Sequence, residues 1–217
     1  MAALFRKFQE LKRVKRTGWI DRGMAANEVE SVADHSVLTA LIAWIASRDD
    51  PALDAERVLK LALIHDLAEA IVGDAPPYEP EDVPDQANAD ALRDFFSVRH
   101  VRTVENKRAK QAAERAAFAD LAQLMPPGAR AELGPLWDEY QSQTTAEAKF
   151  VKQVDRLEAY LQSRHYARQY PNLPLQGFTD MANHEIDHPA LTAIRDASGG
   201  HEVLPCESRL GEDFVSH

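Results

Sequence analysis

Apolar residues recur at intervals of three and four positions along most of the chain, and no run of alternating β-branched residues interrupts them. Intervals of three and four place side chains on one face of an α-helix, whereas strict alternation is typical of a β-strand. The sequence therefore predicts an all-α protein with six or seven helices.

Two helices are predicted in the first 50 residues. The first covers about residues 2–14 and stops before Gly18, a residue type that ends helices. The second begins near Ser31 and ends before the Asp-Asp-Pro sequence at 49–51. It carries one apolar stripe, made by Val37, Leu41, Trp44 and Ile45.

A third helix is predicted from about Asp54 to Val72. Asp54 is a candidate cap for its first turn, and Gly73 is a helix-stop residue directly after it. The following segment, GDAPPYEPEDVPD at 73–85, holds four prolines and is therefore predicted to be a loop. Because it follows a helix that carries several ionisable residues, we expect this loop to form a wall or lid of a site.

Three further helical segments are predicted in the second half. Residues 86–124 read as one long or interrupted helix that is broken at the sequence MPPG, and another helix covers about 128–141. Thr144 or Thr145 caps the next helix, with Glu147 as the partner in a capping box, and two prolines end it.

The C-terminal part of the chain has weaker patterning. One weak helix is predicted near 178–197, followed by a tail without periodicity. We therefore expect one domain at 1–170 and a C-terminal extension at 171–217 with a flexible tail.

Composition narrows the class of protein. The chain has 217 residues, of which 45% are hydrophobic and 28% charged, as expected for a folded domain with a sizeable core. A single cysteine, Cys206, cannot supply a disulfide framework, so we expect a reducing compartment and a cytoplasmic location. No apolar run reaches the roughly 20 residues of a membrane span, so no membrane partner is expected.

Charge is distributed unevenly. A formal net charge of -10 argues against binding to a nucleic-acid polymer, because Lys and Arg contacts to phosphates dominate such binding. Residues 1–24 nevertheless carry seven basic side chains against two acidic ones. This local excess of positive charge could meet a small anionic ligand.

Ionisable residues interrupt three of the apolar helices. An unpaired carboxylate or imidazole buried in such a helix costs several kcal/mol, so these side chains need partners, hydrogen bonds or a metal ion. The interrupting residues are His35 in the second helix, His65, Asp66, Glu69 and Asp74 in and after the third, and Asp155 in the helix that follows residue 145.

Two histidines and two aspartates offer a mixed nitrogen and oxygen donor set that suits a divalent transition metal. Adjacent helical residues point about 100° apart, so His65 and Asp66 can both reach an ion only if it lies over the ridge between them. His35 and Asp155 would then come from two other helices, which predicts a site in the core of a bundle. Glu69 lies one turn after His65, where it could handle the proton of a metal-bound water.

Four segments in this order resemble the HD-domain superfamily of metal-dependent phosphohydrolases. They are LKRVKRTGW, ESVADHS, HDLAEAIVGD and VKQVDRLEAYL. They are similar in sequence and spacing to the 5′-deoxynucleotidase branch, over residues from about 8 to 165. The order of the four segments carries the resemblance, since an isolated His-Asp pair is not specific.

The resemblance implies an all-helical HD-domain bundle, usually a homodimer, that binds one divalent ion in its core. The implied ligands are His35, His65, Asp66 and Asp155, and the ion could be Co, Mn, Zn, Fe, Ni or Mg. The implied activity is release of phosphate from 5′-deoxyribonucleoside monophosphates by metal-assisted hydrolysis. Glu69 would be the main catalytic carboxylate, orienting or deprotonating the attacking water or protonating the leaving oxygen.

The resemblance also implies contacts to the substrate. Asp74 matches a position that faces the sugar, and Trp19 matches an aromatic residue near the substrate, although a hydrophobic plug explains Trp19 as well. Gly18 stands where the branch has an Arg that contacts phosphate. Arg16 is our first candidate to replace that Arg in substrate binding, and Arg22 is the second.

Other functions fit the sequence less well. A dinuclear HD-domain oxygenase needs extra His ligands between Asp66 and Asp155, where His100 is the only histidine. A zinc deaminase needs a pair of cysteines, and HDLAE is not the HExxH motif of metalloproteases. Two alternatives stay open: a phosphatase for another small phosphoester or a nucleoside triphosphate, and a non-catalytic nucleotide-binding protein.

Overall fold

The computed structural model describes residues 1–199, and over that range the chain is helical without a β-sheet, as predicted. The helices are α1 (Ala2–Leu11), α2 (Thr17–Ile20), α3 (Val32–Ser47), α4 (Ala55–Ile64), α5 (Glu69–Val72), α6 (Ala89–Phe95), α7 (Val104–Gln123), α8 (Pro127–Ser142), α9 (Ala146–Gln169), α10 (Gln176–Glu185) and α11 (Pro189–Gly199). The tail predicted after 197 lies almost entirely outside the described residues.

The long helix α9 is the centre of the fold. It contacts α3, α4, α8, α10 and α11, and side chains on most of its circumference are buried. Phe150, Val151, Val154 and Leu157 join the main hydrophobic core, which also includes Leu61 of α4. Because α9 is enclosed by other helices, a polar residue in its middle turns points into the interior of the bundle.

Local hydrogen bonds define the start of each helix near the predicted site. Ser31 and Asp34 form a reciprocal capping box at α3, which positions the first turn of that helix. Asp54 caps α4 by accepting from two backbone N–H groups, as predicted. Gly73 ends α5 with a positive φ of 78°, a conformation that favours glycine.

The predicted single helix from Asp54 to Val72 is interrupted. Residues 65–68 form a turn between α4 and α5, and the N–H groups of Leu67, Glu69, Ala70 and Ile71 bond to carbonyls three residues earlier. Bonds of this kind tighten the helix to about three residues per turn, so side chains three positions apart are eclipsed. Asp66 and Glu69 are therefore brought to the same side of the chain.

The start of α9 also differs from the prediction, because its cap lacks the second hydrogen bond of a capping box. Thr145 caps the helix by accepting from the Ala148 N–H, whereas Glu147 accepts from the backbone N–H of Asp54. Glu147 therefore ties the start of α9 to the start of α4 and takes no part in the cap of its own helix.

The apolar stripe of α3 faces away from the core. Val37, Leu41, Trp44 and Ile45 are exposed, while the buried positions of α3 are His35 and mostly small residues such as Ala40 and Ala43. Small side chains let α3 approach α4 and α9 closely. The helix is consequently apolar on its outer face as well as on part of its inner face.

The single weak helix predicted at 178–197 is two helices. Residues 186–188 separate α10 from α11, and Pro189 begins α11, a position that proline favours because its missing N–H needs no partner there. Both helices pack against α9, with Ala182 and Leu191 fully buried. The first part of the predicted C-terminal extension therefore packs against the predicted domain.

None of the helices over 1–199 is both long and apolar enough to cross a membrane.

Gly177 allows α10 to touch the segment that follows α6. Its N–H donates to the Phe96 carbonyl over 2.8 Å, and a Cβ added at this glycine would lie 2.6 Å from the carbonyl oxygen of Val98. A backbone atom cannot move as a flexible side chain does, so any side chain at 177 forces the two segments apart.

We expect Gly177→Ala to destabilise the protein by about 1–3 kcal/mol, the usual cost of overpacking. Thermal unfolding would show this as a midpoint several degrees lower. Gly134→Ala is the matched control, because nothing lies within 4 Å of the added Cβ and alanine favours the interior of α8. A Gly177→Ala midpoint equal to that of the wild type would contradict the close packing.

Candidate metal centre and active site

Three helices each bring one predicted metal ligand to the same point. His35 lies in the first turn of α3, His65 at the C-terminal end of α4, and Asp155 in the middle of α9. One potential ligand atom from each lies within 4.8 Å of the others. The Nε2 atom of His35 is 3.3 Å from Nε2 of His65 and 3.3 Å from Oδ1 of Asp155.

Asp66 completes the predicted set of four. Its Oδ2 lies 3.1 Å from Nε2 of His65 and 3.7 Å from Nε2 of His35. Two imidazole nitrogens and two carboxylates that converge in this way form a donor set that fits a divalent cation. The structure thus brings together all four residues that the sequence order singled out.

Both histidines direct Nε2 towards this cluster because Nδ1 has a partner elsewhere. Nδ1 of His65 is 2.7 Å from the Ala62 carbonyl oxygen, and Nδ1 of His35 is hydrogen-bonded to Glu158. Burial and Arg16 lower the pKa of His35, but hydrogen bonds to Asp155 and Glu158 outweigh them and raise it to about 10. Without a bound ion, the His35 ring is therefore protonated at neutral pH.

The two aspartates of the cluster remain charged. Burial disfavours their ionised forms, yet Lys152 and Arg156 hold the pKa of Asp155 well below its usual value. His65 acts in the same direction on the pKa of Asp66. Lys152 makes the nearest contact, with its Nζ 2.8 Å from Oδ2 of Asp155.

Glu69 lies beside the cluster at the start of α5. It is buried, and its Oε2 atom has no hydrogen-bond partner among the described residues. The other oxygen, Oε1, is 3.5 Å from Nζ of Lys110. Burial, together with Asp66 and Asp74, raises the pKa of Glu69 well above its ordinary value. The surroundings of Glu69 therefore favour the protonated form of its carboxyl group.

Asp74 and Arg16 form a hydrogen-bonded ion pair. Arg16 Nη1 donates to Oδ1 of Asp74 over 2.8 Å, and the Thr17 backbone N–H donates to Oδ2 over 2.6 Å. The same Nη1 lies 3.7 Å from Oδ2 of Asp66. The guanidinium of Arg16 therefore bridges the metal-ligand cluster and Asp74.

Trp19 is buried in α2. Its ring stacks on Phe178 with centroids 4.3 Å apart, and its Nε1 donates to Oε1 of Glu30 over 2.8 Å. Burial, with the nearby Glu158, raises the pKa of Glu30 to about 7. These contacts are those of a packed hydrophobic residue, and Trp19 is also one of the residues that line the cavity described below.

Arg22 occupies the space next to Gly18. Its guanidinium lies between the rings of Phe96 and Phe178, 3.9 Å and 4.5 Å from their centroids, and it donates to the carbonyls of Gly18 and Pro174. A Cβ at Gly18 would lie 3.4 Å from Arg22 Nη1. Arg22 therefore joins α2 to α10 and the segment before it.

One cavity of about 620 Å³ connects these groups. This volume is in the range of small-molecule sites. The predicted site residues that line it are Arg16, Trp19, Arg22, His65, Asp66, Glu69, Asp74 and Asp155. His35 lies behind them, fully buried. The loop after Gly73 forms part of the wall, as expected from the sequence.

The cavity wall also carries several basic side chains that the sequence analysis does not predict as site residues. They come from the segment before α7, from α7 and from α9, namely Arg102, Lys107, Lys110, Lys152 and Arg156. Lys110 and Lys152 stand four and three residues before acidic partners, Glu114 and Asp155, which is a spacing that the sequence shows. Nothing in the sequence indicates that Arg102 reaches the carbonyls of Ala75 and Pro76.

Comparison with known proteins shows which proteins this chain resembles in sequence and in fold. A profile of the HD domain matches residues 8–192. A 5′-deoxynucleotidase HDDC2 from Mus musculus is 37% identical over 187 residues, covering 85% of this chain and 79% of that protein. The 5′-deoxynucleotidase hdd1 of Schizosaccharomyces pombe is 33% identical over 180 residues, covering 82% and 78%. A conserved hypothetical protein from Pyrococcus furiosus superposes with a TM-score of 0.62 at 25% identity, over 91% of this chain and 98% of that one.

Metal binding should depend on pH through His35. With its pKa raised to about 10, the metal-free ring carries a proton on Nε2 below that pH, and an incoming ion has to displace it. The affinity for Mn²⁺ should therefore rise about tenfold per pH unit between pH 6 and 8. Titration calorimetry in buffers with different ionisation enthalpies would measure the affinity and count the released proton. Equal affinities at pH 6 and pH 8 would contradict this expectation.

Proposed function

The chain belongs to the HD-domain family, and on this premise we propose that it is a metal-dependent 5′-deoxynucleotidase, which releases phosphate from nucleoside 5′-monophosphates. The observation that carries the proposal is the cluster of His35, His65, Asp66 and Asp155 beside a cavity that Glu69 also lines. That cluster provides a place for a divalent ion beside a carboxyl group whose surroundings favour its protonated form.

Four residues would hold the ion: His35, His65, Asp66 and Asp155. When bound, a divalent ion polarises a phosphoryl oxygen and lowers the pKa of water, which is the chemistry that phosphomonoester hydrolysis needs. Its identity among Co, Mn, Zn, Fe, Ni and Mg stays a prediction to be tested.

Glu69 would transfer a proton during the hydrolysis. Its buried Oε2 has no hydrogen-bond partner among the described residues, and its raised pKa favours a protonated carboxyl group. A carboxylic acid next to the scissile bond can donate to the leaving 5′-oxygen and then accept a proton from water. Lys110, close to the other oxygen, keeps the Glu69 side chain in one orientation.

Arg16 would contact the phosphate and Asp74 the sugar. The position of the Arg16 guanidinium between Asp66 and Asp74 supports this choice over Arg22, whose guanidinium is held between two aromatic rings. Trp19 would form the wall behind the substrate. The basic residues Arg102 and Lys107 at the cavity wall supply further positive charge for an anionic substrate.

The proposal is tested by a phosphate-release screen over ribo- and deoxyribonucleoside mono- and triphosphates with several divalent ions. We expect chelator-treated protein to be inactive and to recover with added Co²⁺ or Mn²⁺, with 5′-deoxyribonucleoside monophosphates as the preferred substrates. Preferred release from triphosphates or from another phosphoester would support the open alternative. Nucleotide binding without turnover under all conditions would support a non-catalytic role.

Glu69→Gln should keep metal and nucleotide binding but lower turnover by about 10²- to 10⁴-fold, the usual contribution of general acid–base catalysis. Phosphate release under saturating substrate measures the loss, and calorimetry measures the two binding steps. Glu114→Gln is a matched control, because Glu114 is also a buried glutamate that contacts Lys110 but is not one of the predicted site residues. Near wild-type turnover in Glu69→Gln would assign the proton transfer to another group.

We also propose that the chain forms a homodimer through the outer face of α3. This face consists of Val37, Leu38, Leu41, Trp44 and Ile45, each more than 40% exposed. A helix that is apolar on both its inner and its outer face is typical of one enclosed on both sides. An exposed apolar patch of this kind marks an interaction site, and a second copy of the same face would cover it.

Ile45→Glu should convert the dimer to a monomer in analytical ultracentrifugation, because it places a charge in the proposed interface. Val104→Glu is the control, since Val104 at the start of α7 is 67% exposed, close to the 69% of Ile45, and lies away from this face. A wild-type monomer, or an Ile45→Glu variant that stays dimeric, would contradict the assignment.

The cytoplasmic location, and the expectation that no nucleic-acid polymer or membrane is bound, stay predictions.

A further inference from the structure

The side of His35 that faces away from the ligand cluster has an unusual environment for a buried imidazole. Nδ1 is hydrogen-bonded to Oε2 of Glu158, and both side chains are almost completely buried. A carboxylate oxygen of Glu30 lies within 4.8 Å of both groups. Neither glutamate lines the cavity that holds the proposed site, so neither can touch a substrate there.

Glu158 reaches His35 because of its position on α9. It follows Asp155 by three residues, so the two carboxylates lie on neighbouring turns of the same face of the helix. Asp155 approaches Nε2 of His35 while Glu158 bonds Nδ1. Helix α9 therefore holds the imidazole ring at both nitrogens.

The direct bond between Glu158 and Nδ1 argues against a second cation at this place. The three side chains Glu30, His35 and Glu158 could in principle surround an ion. Nδ1 and Oε2 of Glu158 are within hydrogen-bonding distance, however, and an ionised carboxylate oxygen can only accept a hydrogen bond. Nδ1 is then a donor, and it has no free lone pair for a metal.

A carboxylate at Nδ1 has a specific effect on a metal-binding histidine. It fixes the proton on Nδ1, so that Nε2 presents its lone pair to the ion, and it increases the electron density of the ring. The other candidate ligand histidine has only a neutral acceptor, the Ala62 carbonyl. The two histidines of the cluster are thus supported differently, one by a charged group and one by the backbone.

We propose that Glu158 is a positioning residue of the metal centre, which holds His35 in the form that binds a metal through Nε2 and strengthens it as a ligand. The inference rests on the metal centre of the proposed function but concerns ion binding, not turnover. Glu30, which accepts a hydrogen bond from Trp19, has a carboxylate oxygen within 4.8 Å of both members of this pair.

The test compares Co²⁺ binding to the purified full chain and three variants. Glu158→Gln keeps the shape and an acceptor but removes the charge, and Glu158→Met also removes the acceptor. Glu139→Gln is the control, because Glu139 is a buried glutamate on α8 that bonds Arg57 and Thr145 away from the cluster. Affinity is measured by competition with a chelating dye, and the ligand field by the visible absorption of bound Co²⁺.

We expect Co²⁺ affinity to fall about 10-fold in Glu158→Gln and up to about 100-fold in Glu158→Met, with a changed absorption spectrum in both. Glu139→Gln should bind with the affinity and spectrum of the wild type, even where its thermal midpoint is lower. Wild-type affinity and spectrum in Glu158→Gln would overturn the proposal, and so would an equal loss of affinity in Glu139→Gln. If Glu158→Met does not fold, Glu158→Gln decides alone.

Failure of this inference is distinguishable from failure of the proposed function. Wild-type protein that binds Co²⁺ but releases no phosphate from any nucleotide would contradict the proposed activity and leave the Glu158 comparison valid. Wild-type activity combined with unchanged Co²⁺ binding in both Glu158 variants would contradict only the positioning role.

Discussion

Burial of charge at the junction of α3, α4 and α9 is the constraint on which the remaining structure depends. An unpaired charge in a helical core costs several kcal/mol, so each charged group at this junction has to meet another. Asp155 contacts Lys152 and His35, and Asp66 lies beside His65 and Arg16. The hydrophobic core around α9 brings the helices together, and these polar contacts fix how they meet.

Much of the architecture follows from short-range signals in the sequence. The helical periodicity, the cap at Asp54 and the stop at Gly73 are local features, and the structure shows each of them. The ligand candidates could also be found locally, because a histidine or aspartate inside an apolar helix is conspicuous. Their convergence on one point was predicted from the order of the four segments that carry the family resemblance. The spacing of residues within one helix does not tell where another helix lies.

Other features depend on tertiary contacts that the sequence does not show. The turn at 65–68 interrupts a continuous helical pattern, and α3 turns its smaller side chains inward because α4 and α9 approach it closely. Glu158 looks like an ordinary polar position of a long helix until His35 is placed against it. The basic wall of the cavity likewise depends on how the segment before α7 folds back on the loop after Asp74.

The two nitrogens of His35 find their partners at very different distances along the chain. His65 is 30 residues away, whereas Glu158 is 123 residues away. During synthesis, α3 and α4 therefore leave the ribosome long before α9 can cover the imidazole and the apolar surface beside it. Over that interval both sides of α3 are open to solvent, and exposed apolar surface in an incomplete chain favours aggregation. The emergence of α9 therefore closes the metal centre and covers this apolar surface in the same step.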